Sequence, residues 1–370
     1  MELILRYGIV YPVLRLILRN PQLEGTIDLD SIRSLLILRY DRLGDIVVTT
    51  PVLRRLKELR SDLKLGVLAS SANAELLRGN PHVDRIHVLP KSWFGVLRMI
   101  RQARIERYDV VLNFIFNRTT SGGILANLIS PKGIKVGQGA EQYGFYFNKL
   151  LSLDRGNDHM AEVLMKYVDR VFGLQPFSGS MQFEVFPDRN STDQVSVFLT
   201  GTGFAARTAS GAKGFTVLNI SAAEEPRSIN LAQMIILAAV LTRECDQNVV
   251  LISAPSDRMV RRSVAQIVGD QCREFPERGD AGLLAIAALI GAAQCVVTPD
   301  TSVVHIASAM KTPVLAFYTP LQVTNEWLPM GIPYEMVLAD PGKPVSSISP
   351  EFMRSKTKAF IHSLKERQGA

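Results

Sequence analysis

The chain has 370 residues, 47% hydrophobic and 21% charged, with 42 Lys and Arg against 35 Asp and Glu for a net charge of +7. That apolar content excludes a disordered or fibrous chain and fills two or three cores at about 150 residues each. Three cysteines, Cys245, Cys272 and Cys295, without CxxC spacing, exclude a disulfide framework or structural zinc site and fit a reducing compartment. The charge is uneven: residues 1–170 hold 25 basic and 17 acidic side chains, residues 171–370 hold 17 and 18. The first part therefore suits an anionic partner such as phosphorylated lipid, nucleic acid or a membrane surface, with solubility charge as the plainer account.

In chain order, residues 1–20 come first. They are apolar, yet Arg6, Pro12 and Arg15 interrupt them, so no run reaches the roughly 20 residues of a membrane span. No small-residue cleavage site follows. With Arg19 and two tyrosines, the segment over 1–30 fits the membrane interface, or else a helix packed on the first domain. SLLILRY (34–40) is a continuous apolar run, as a buried parallel strand requires. A helix is predicted over 46–60 with Val47, Leu53, Leu56 and Leu59 inward, then strands over 65–70, 85–90 and 109–116 with helices over 72–78 and 94–106. A stretch rich in Gly, Pro, Ser and Asp over 173–195 sets the domain boundary, giving domains over 31–180 and 181–345. The rhythm repeats with strands over 215–221, 248–254, 295–299 and 312–318. Helices are predicted from an Asn230 cap to about 244, and over 257–268, 281–294 and 301–310. A C-terminal helix within 346–370 is expected to pack back on the N-terminal domain. Two blocks of alternating strand and helix predict an α/β fold of two doubly wound parallel sheets, with ligands at the carboxyl ends of the strands in a cleft between domains.

Two loops carry the candidate chemistry. In RYDRLGD (39–45), Arg42 and Gly44 shape a turn and Asp45 stands at a helix start. There it is either a simple cap or a general base accepting a proton from an incoming hydroxyl. In VVTPDTSVVHIASAMKTPV (296–314), Pro299 breaks a strand and Asp300 is placed to cap the next helix. The N–H groups of Thr301 and Ser302 then form an anion site. His305, one turn on, is either a satisfied helical histidine or a contact to phosphate or sugar. The loop NISAAEEPRSIN (219–230) holds Ser221 and Arg227, whose guanidinium suits a diphosphate as well as solvent. The loop SAPSD (253–257) offers Ser253 or Asp257 to a ribose or base.

Other chemistries lack their motifs. There is no GxxxxGK[ST], no GxGxxG after the first strand, no HExxH and no GxSxG. The five histidines, His82, His87, His159, His305 and His362, give no useful metal-ligand pair. No motif of interleaved aromatic and basic residues points to nucleic acid, which is not an expected partner.

Together the stretches ILRYDRLGDIVVTTPVLRRLKE, NPHVDRIHVLP and VVTPDTSVVHIASAMKTPVLAFYTP resemble the ADP-heptose:lipopolysaccharide heptosyltransferases, glycosyltransferase family 9, over most of residues 34–330. The resemblance implies the GT-B architecture: two Rossmann-like domains facing a central cleft, acceptor on the first and nucleotide-sugar on the second. It implies an inverting, metal-independent transferase without cofactor. The donor would be ADP-heptose by family default, and the acceptor an anionic glycolipid of lipopolysaccharide type. Asp45 matches the family's general base, and Asp300, Thr301 and His305 match donor contacts. The implied location is the cytoplasmic face of the inner membrane of a Gram-negative bacterium, with peripheral contact through residues 1–20. The chain departs from the family at Ser302, where glycine is usual, and at Arg227-Ser-Ile-Asn, where Lys-x-Trp-Pro is usual. These departures keep two alternatives open: a different donor sugar, or a non-catalytic relative that binds nucleotide-sugar or glycolipid.

Overall fold

The computed structural model describes residues 11–18, 20–116, 119–153, 156–207, 214–320 and 325–369. The chain forms two compact units, Met1–Ser180 and Met181–Ala370. Residues 1–10 and 19, within the segment 1–30 assigned above to the membrane interface, lie outside the described residues.

The first unit contains α1 (Tyr11–Ile17), β1 (Ser34–Leu38), α2 (Leu43–Leu59), β2 (Lys64–Ser70), β3 (Arg85–Leu89), α3 (Trp93–Ile105), β4 (Val110–Asn113), α4 (Thr119–Ile129), β5 (Ile134–Gln138), β6 (Lys149–Leu151) and α5 (Met160–Phe172). Its strands are parallel in the order β3-β2-β1-β4-β5-β6. Every residue of β1 and β4 is buried, because helices cover both faces of a parallel sheet. Leu36, Leu38, Leu68, Met99, Ile100, Ala103 and Val111 form one core between the sheet and its helices. α2 begins three residues earlier than predicted and buries Ile46–Val48, Val52, Leu53 and Leu56. Leu59, expected inward, is exposed in the last turn of the helix. Arg55 on α2 pairs with Asp169 on α5 at 2.9 Å and lies 4.7 Å from the ring centre of Phe177. Burial pushes the Asp169 carboxyl up against the pull of Arg55. The helix predicted over 72–78 is only a 3-10 turn, Ala74–Leu77.

The second unit contains α6 (Arg189–Thr202), β7 (Phe215–Asn219), α7 (Leu231–Ala239), β8 (Asn248–Ile252), α8 (Arg258–Val268), β9 (Cys272–Glu274), α9 (Leu283–Ala292), β10 (Cys295–Pro299), α10 (Ser302–Ala309), β11 (Val314–Tyr318), β12 (Tyr334–Leu338) and α11 (Pro350–Gly369). Its parallel order is β12-β11-β10-β7-β8-β9, the order of the first sheet read from the other edge. Asn230 caps α7 by accepting the Gln233 N–H, but the helix passes into a π turn at Val240–Glu244 instead of running on. Met353, Phe360 and Ile361 of α11 are buried with Leu237 and Leu241 in the second unit's own core.

In both sheets the winding reverses direction between two central strands, β1 and β4 in the first and β7 and β10 in the second. A crevice opens at the carboxyl ends of the strands on either side of such a reversal, where α/β proteins bind their ligands.

Candidate active site

At the first reversal the chain leaves β1 as Arg39, a side chain only 2% exposed. A buried guanidinium must be paired and fully hydrogen-bonded. Its Nε donates to the Asp45 carbonyl at 3.2 Å, its Nη2 to Asp45 Oδ1 at 3.0 Å and its Nη1 to Asp41 Oδ2 at 3.1 Å. Nη1 also donates to the Phe114 carbonyl just beyond β4, so one side chain spans the reversal. Asp45 is the third residue of α2, and its Oδ2 accepts the Arg42 N–H at 3.2 Å. It therefore caps the helix and pairs with Arg39 together. The Asn73 amide donates to the Arg39 carbonyl at 3.1 Å and fixes the loop from the β2 side. Gly44 lies within the first helical turn and not in the tight turn expected of it. Burial pushes the Asp41 carboxyl up to about 6, against the pull of Arg39 and with the repulsion of Asp45. The Asp41 side chain is also the more open of the two carboxylates, 24% exposed against 9%.

The second reversal is spanned by Asn219, the last residue of β7. Its Nδ2 donates to Thr298 Oγ1 at 2.9 Å, to the Ser221 carbonyl at 3.1 Å and to Thr301 Oγ1 at 3.2 Å. Its Oδ1 accepts the Ser221 N–H at 3.2 Å. An amide suits this place because it donates and accepts from one planar group. Thr301, in extended backbone, is the cap of α10, its hydroxyl accepting the Val303 N–H at 3.2 Å. Asp300 is therefore not the cap: its own N–H still bonds to the Phe317 carbonyl of β11 at 2.9 Å, and its carboxylate lies 3.4 Å from Arg227 Nη1. Arg227 also lies 3.5 Å from Glu224. Ser302 opens α10, and the His305 ring sits buried 6.2 Å from the Phe183 ring and 6.0 Å from the Trp327 ring. The Ser221 hydroxyl donates to Asp257 and accepts the Ala254 N–H at 2.8 Å, joining the loops after β7 and β8. Ser253 is turned to other work, accepting from Arg261 at 3.4 Å.

The structure thus gathers Ser221, Arg227, Asp300 and Thr301 around Asn219 in the second unit, and Arg42, Gly44 and Asp45 around Arg39 in the first. Sequence reasoning missed Arg39, Asp41 and Asn219. A lone arginine closing an apolar strand and an asparagine ending another were the available signals. Among the described residues, no group of three or more His, Cys, Asp or Glu is placed to hold a metal ion.

The model of glycosyltransferase family 9 (heptosyltransferase) matches residues 96–341, two thirds of the chain. The chain belongs to glycosyltransferase family 9. The matched span contains the Asn219 and Thr301 loops and leaves the Arg39–Asp45 loop outside it. A putative glycosyltransferase of Haemophilus influenzae is 23% identical over 295 residues, covering 77% of this chain and 82% of that protein. Among solved structures, a family 9 glycosyl transferase of Veillonella parvula superposes with a TM-score of 0.77 at 18% identity, covering 91% of this chain and 99% of that one. The E. coli ADP-heptose LPS heptosyltransferase II superposes with a TM-score of 0.70 at 17% identity, covering 90% and 99%. The two parallel six-stranded sheets of this family 9 transferase are those of the GT-B architecture, and its activity class is glycosyl transfer from a nucleotide-sugar.

Proposed function

We propose that this family 9 member is an inverting heptosyltransferase that moves a sugar from ADP-heptose to a lipopolysaccharide-type acceptor. The observation that carries the reading is the carboxylate centre on Arg39 at the carboxyl edge of β1. The E. coli relative named for ADP-heptose and LPS supports the substrate pair. In this reading Asp45 takes the proton from an acceptor hydroxyl while the hydroxyl oxygen bonds to the anomeric carbon. The bond from that carbon to the diphosphate oxygen breaks, and its electron pair leaves with the nucleoside diphosphate. Arg227 and the N–H groups of Thr301 and Ser302 meet the growing charge. One displacement inverts the anomeric configuration, and no metal or cofactor enters the scheme. Ser221 and His305 complete the donor side, with Arg42 and Gly44 on the acceptor side. The basic first unit serves the anionic glycolipid, and residues 1–20 hold the enzyme at the cytoplasmic face of the inner membrane.

Asp41 is the second candidate for the base, because its carboxyl is raised and more open than that of Asp45. Purified protein is screened with ADP-, UDP- and GDP-sugars for nucleotide release that depends on acceptor. Asp45→Asn is expected to lower transfer by about a hundredfold or more while calorimetric donor binding is kept. Full activity in Asp45→Asn beside a dead Asp41→Asn moves the role to Asp41. Donor binding with no release in the unmodified chain leaves only the binding-protein reading.

A further inference from the structure

Helix α3 is built the wrong way round for a helix that meets only water. Its inner face, Met99, Ile100 and Ala103, is buried in the first unit's core, as an amphipathic helix requires. Its outer face should then be polar. Instead Phe94 is 82% exposed, Ile105 77%, Trp93 71% and Leu97 43%. Phe94, Leu97, Arg98, Arg101 and Ile105 follow the spacing i, i+3, i+4, i+7 and i+11, so apolar groups and guanidiniums share one outward stripe, with Trp93 and Arg104 at its flank. Arg98, Arg101 and Arg104 are all exposed, and the helix carries no acidic residue. Beside α3 packs α4, where Leu128 is exposed, and α4 is tied to α1 through Tyr11 and Thr120 hydroxyls at 2.9 Å. α1 in turn exposes Val13, Leu16 and Ile17.

We propose that the outward face of α3 docks on the interface of an anionic phospholipid bilayer, with Trp93, Phe94, Leu97 and Ile105 entering the headgroup region and Arg98, Arg101 and Arg104 meeting lipid phosphates. Aromatic rings with one apolar body settle at that depth, and interleaved arginines select a negative surface. Charge argues against a second copy of the chain, since a two-fold contact through this face would set arginines against arginines with no acid on the helix to offset them. The proposal deepens the membrane contact placed above on residues 1–20 and rests on it for the kind of partner, but it assigns the contact to a different element.

The test is co-sedimentation of the full chain with vesicles of phosphatidylethanolamine and phosphatidylglycerol, and with vesicles of phosphatidylcholine alone. The unmodified chain is expected to bind the anionic vesicles at least tenfold better. The variant Arg98→Gln/Arg101→Gln/Arg104→Gln should lose about a hundredfold in partition, and Trp93→Ser/Phe94→Ser/Leu97→Ser should lose binding to both, each with an unchanged thermal melt because the inner face is intact. In a Trp327→Phe background, brominated lipid should quench Trp93 fluorescence. Equal binding to both vesicle types, or undiminished binding by the α3 variants, overturns the proposal. If Leu16→Ser/Ile17→Ser alone abolishes binding, the contact through residues 1–20 stands and the α3 assignment falls. Loss of self-association or of DNA retention in the α3 variants, with no vesicle binding by the parent, overturns it in favour of a second copy or a nucleic acid. Transfer to a deacylated, water-soluble acceptor is measured separately, so failure of the transferase reading leaves this result untouched.

Discussion

Arg39 is one cation holding two carboxylates, and the second of them makes its loop lose stability as pH rises. The Asp41 carboxyl stands near 6 in the folded chain against 3.8 in the open one, because burial disfavours its charge more than Arg39 favours it. Between these values the folded state binds more protons than the unfolded state. The Asp41 contribution to stability is therefore present in full below pH 3.8 and is lost as pH rises through 6, by at most about 3 kcal/mol. Asp41→Asn removes that trend. Urea midpoints of the variant and parent measured from pH 4 to 7 should diverge in the variant's favour as pH rises; parallel curves would show that Asp41 titrates normally. Asn219 makes the residue-scale case in the second unit. Asn219→Ala strands the Ser221 N–H and takes one donor from each of the Thr298 and Thr301 hydroxyls, and should cost about 2 kcal/mol in urea unfolding and weaken donor binding by calorimetry.

At the scale of elements, α10 depends on a single hydroxyl at its start. Thr301→Val should lower stability by about 1 kcal/mol, while Thr301→Ser restores it. Thermal melts of the pair separate a lost cap from a lost methyl group. The elements that the sequence reveals are those whose burial is complete: β1, β4, β7, β8, β10 and β11 are mainly apolar and lie wholly inside. The strands it hides are at or near the edges. β6 and β9 are three residues each, and β12 mixes exposed and buried positions, so none gives a clear alternation or a long apolar run. The site divides in the same way. Asp45 and Thr301 sit in short motifs readable as strand, turn and helix start. Arg39 and Asn219 act across strands, reaching Phe114 and Thr298 75 and 79 residues away, and no local pattern reports a partner at that distance. Assigning the cap to Asp300 failed by one residue, because β10 keeps its ladder through the Asp300 N–H and α10 starts only after Thr301.

For the whole molecule, each unit carries its own sheet and core, and α11 closes the second. Met353 is fully buried there, so Met353→Ala should cost about 2–5 kcal/mol in the second unit. Calorimetry should show a lower transition for that unit with the first unit's transition unmoved. A single shifted transition would instead mean that the two units unfold together. The cysteines lead somewhere else. All three lie in the second unit, all are buried, and burial pushes the Cys272 and Cys295 thiols up to about 12. Native chains should therefore ignore maleimide at neutral pH. Gln102→Cys on the open side of α3 would give one reactive handle for a nitroxide or dye, with no wild-type sulfur to remove first.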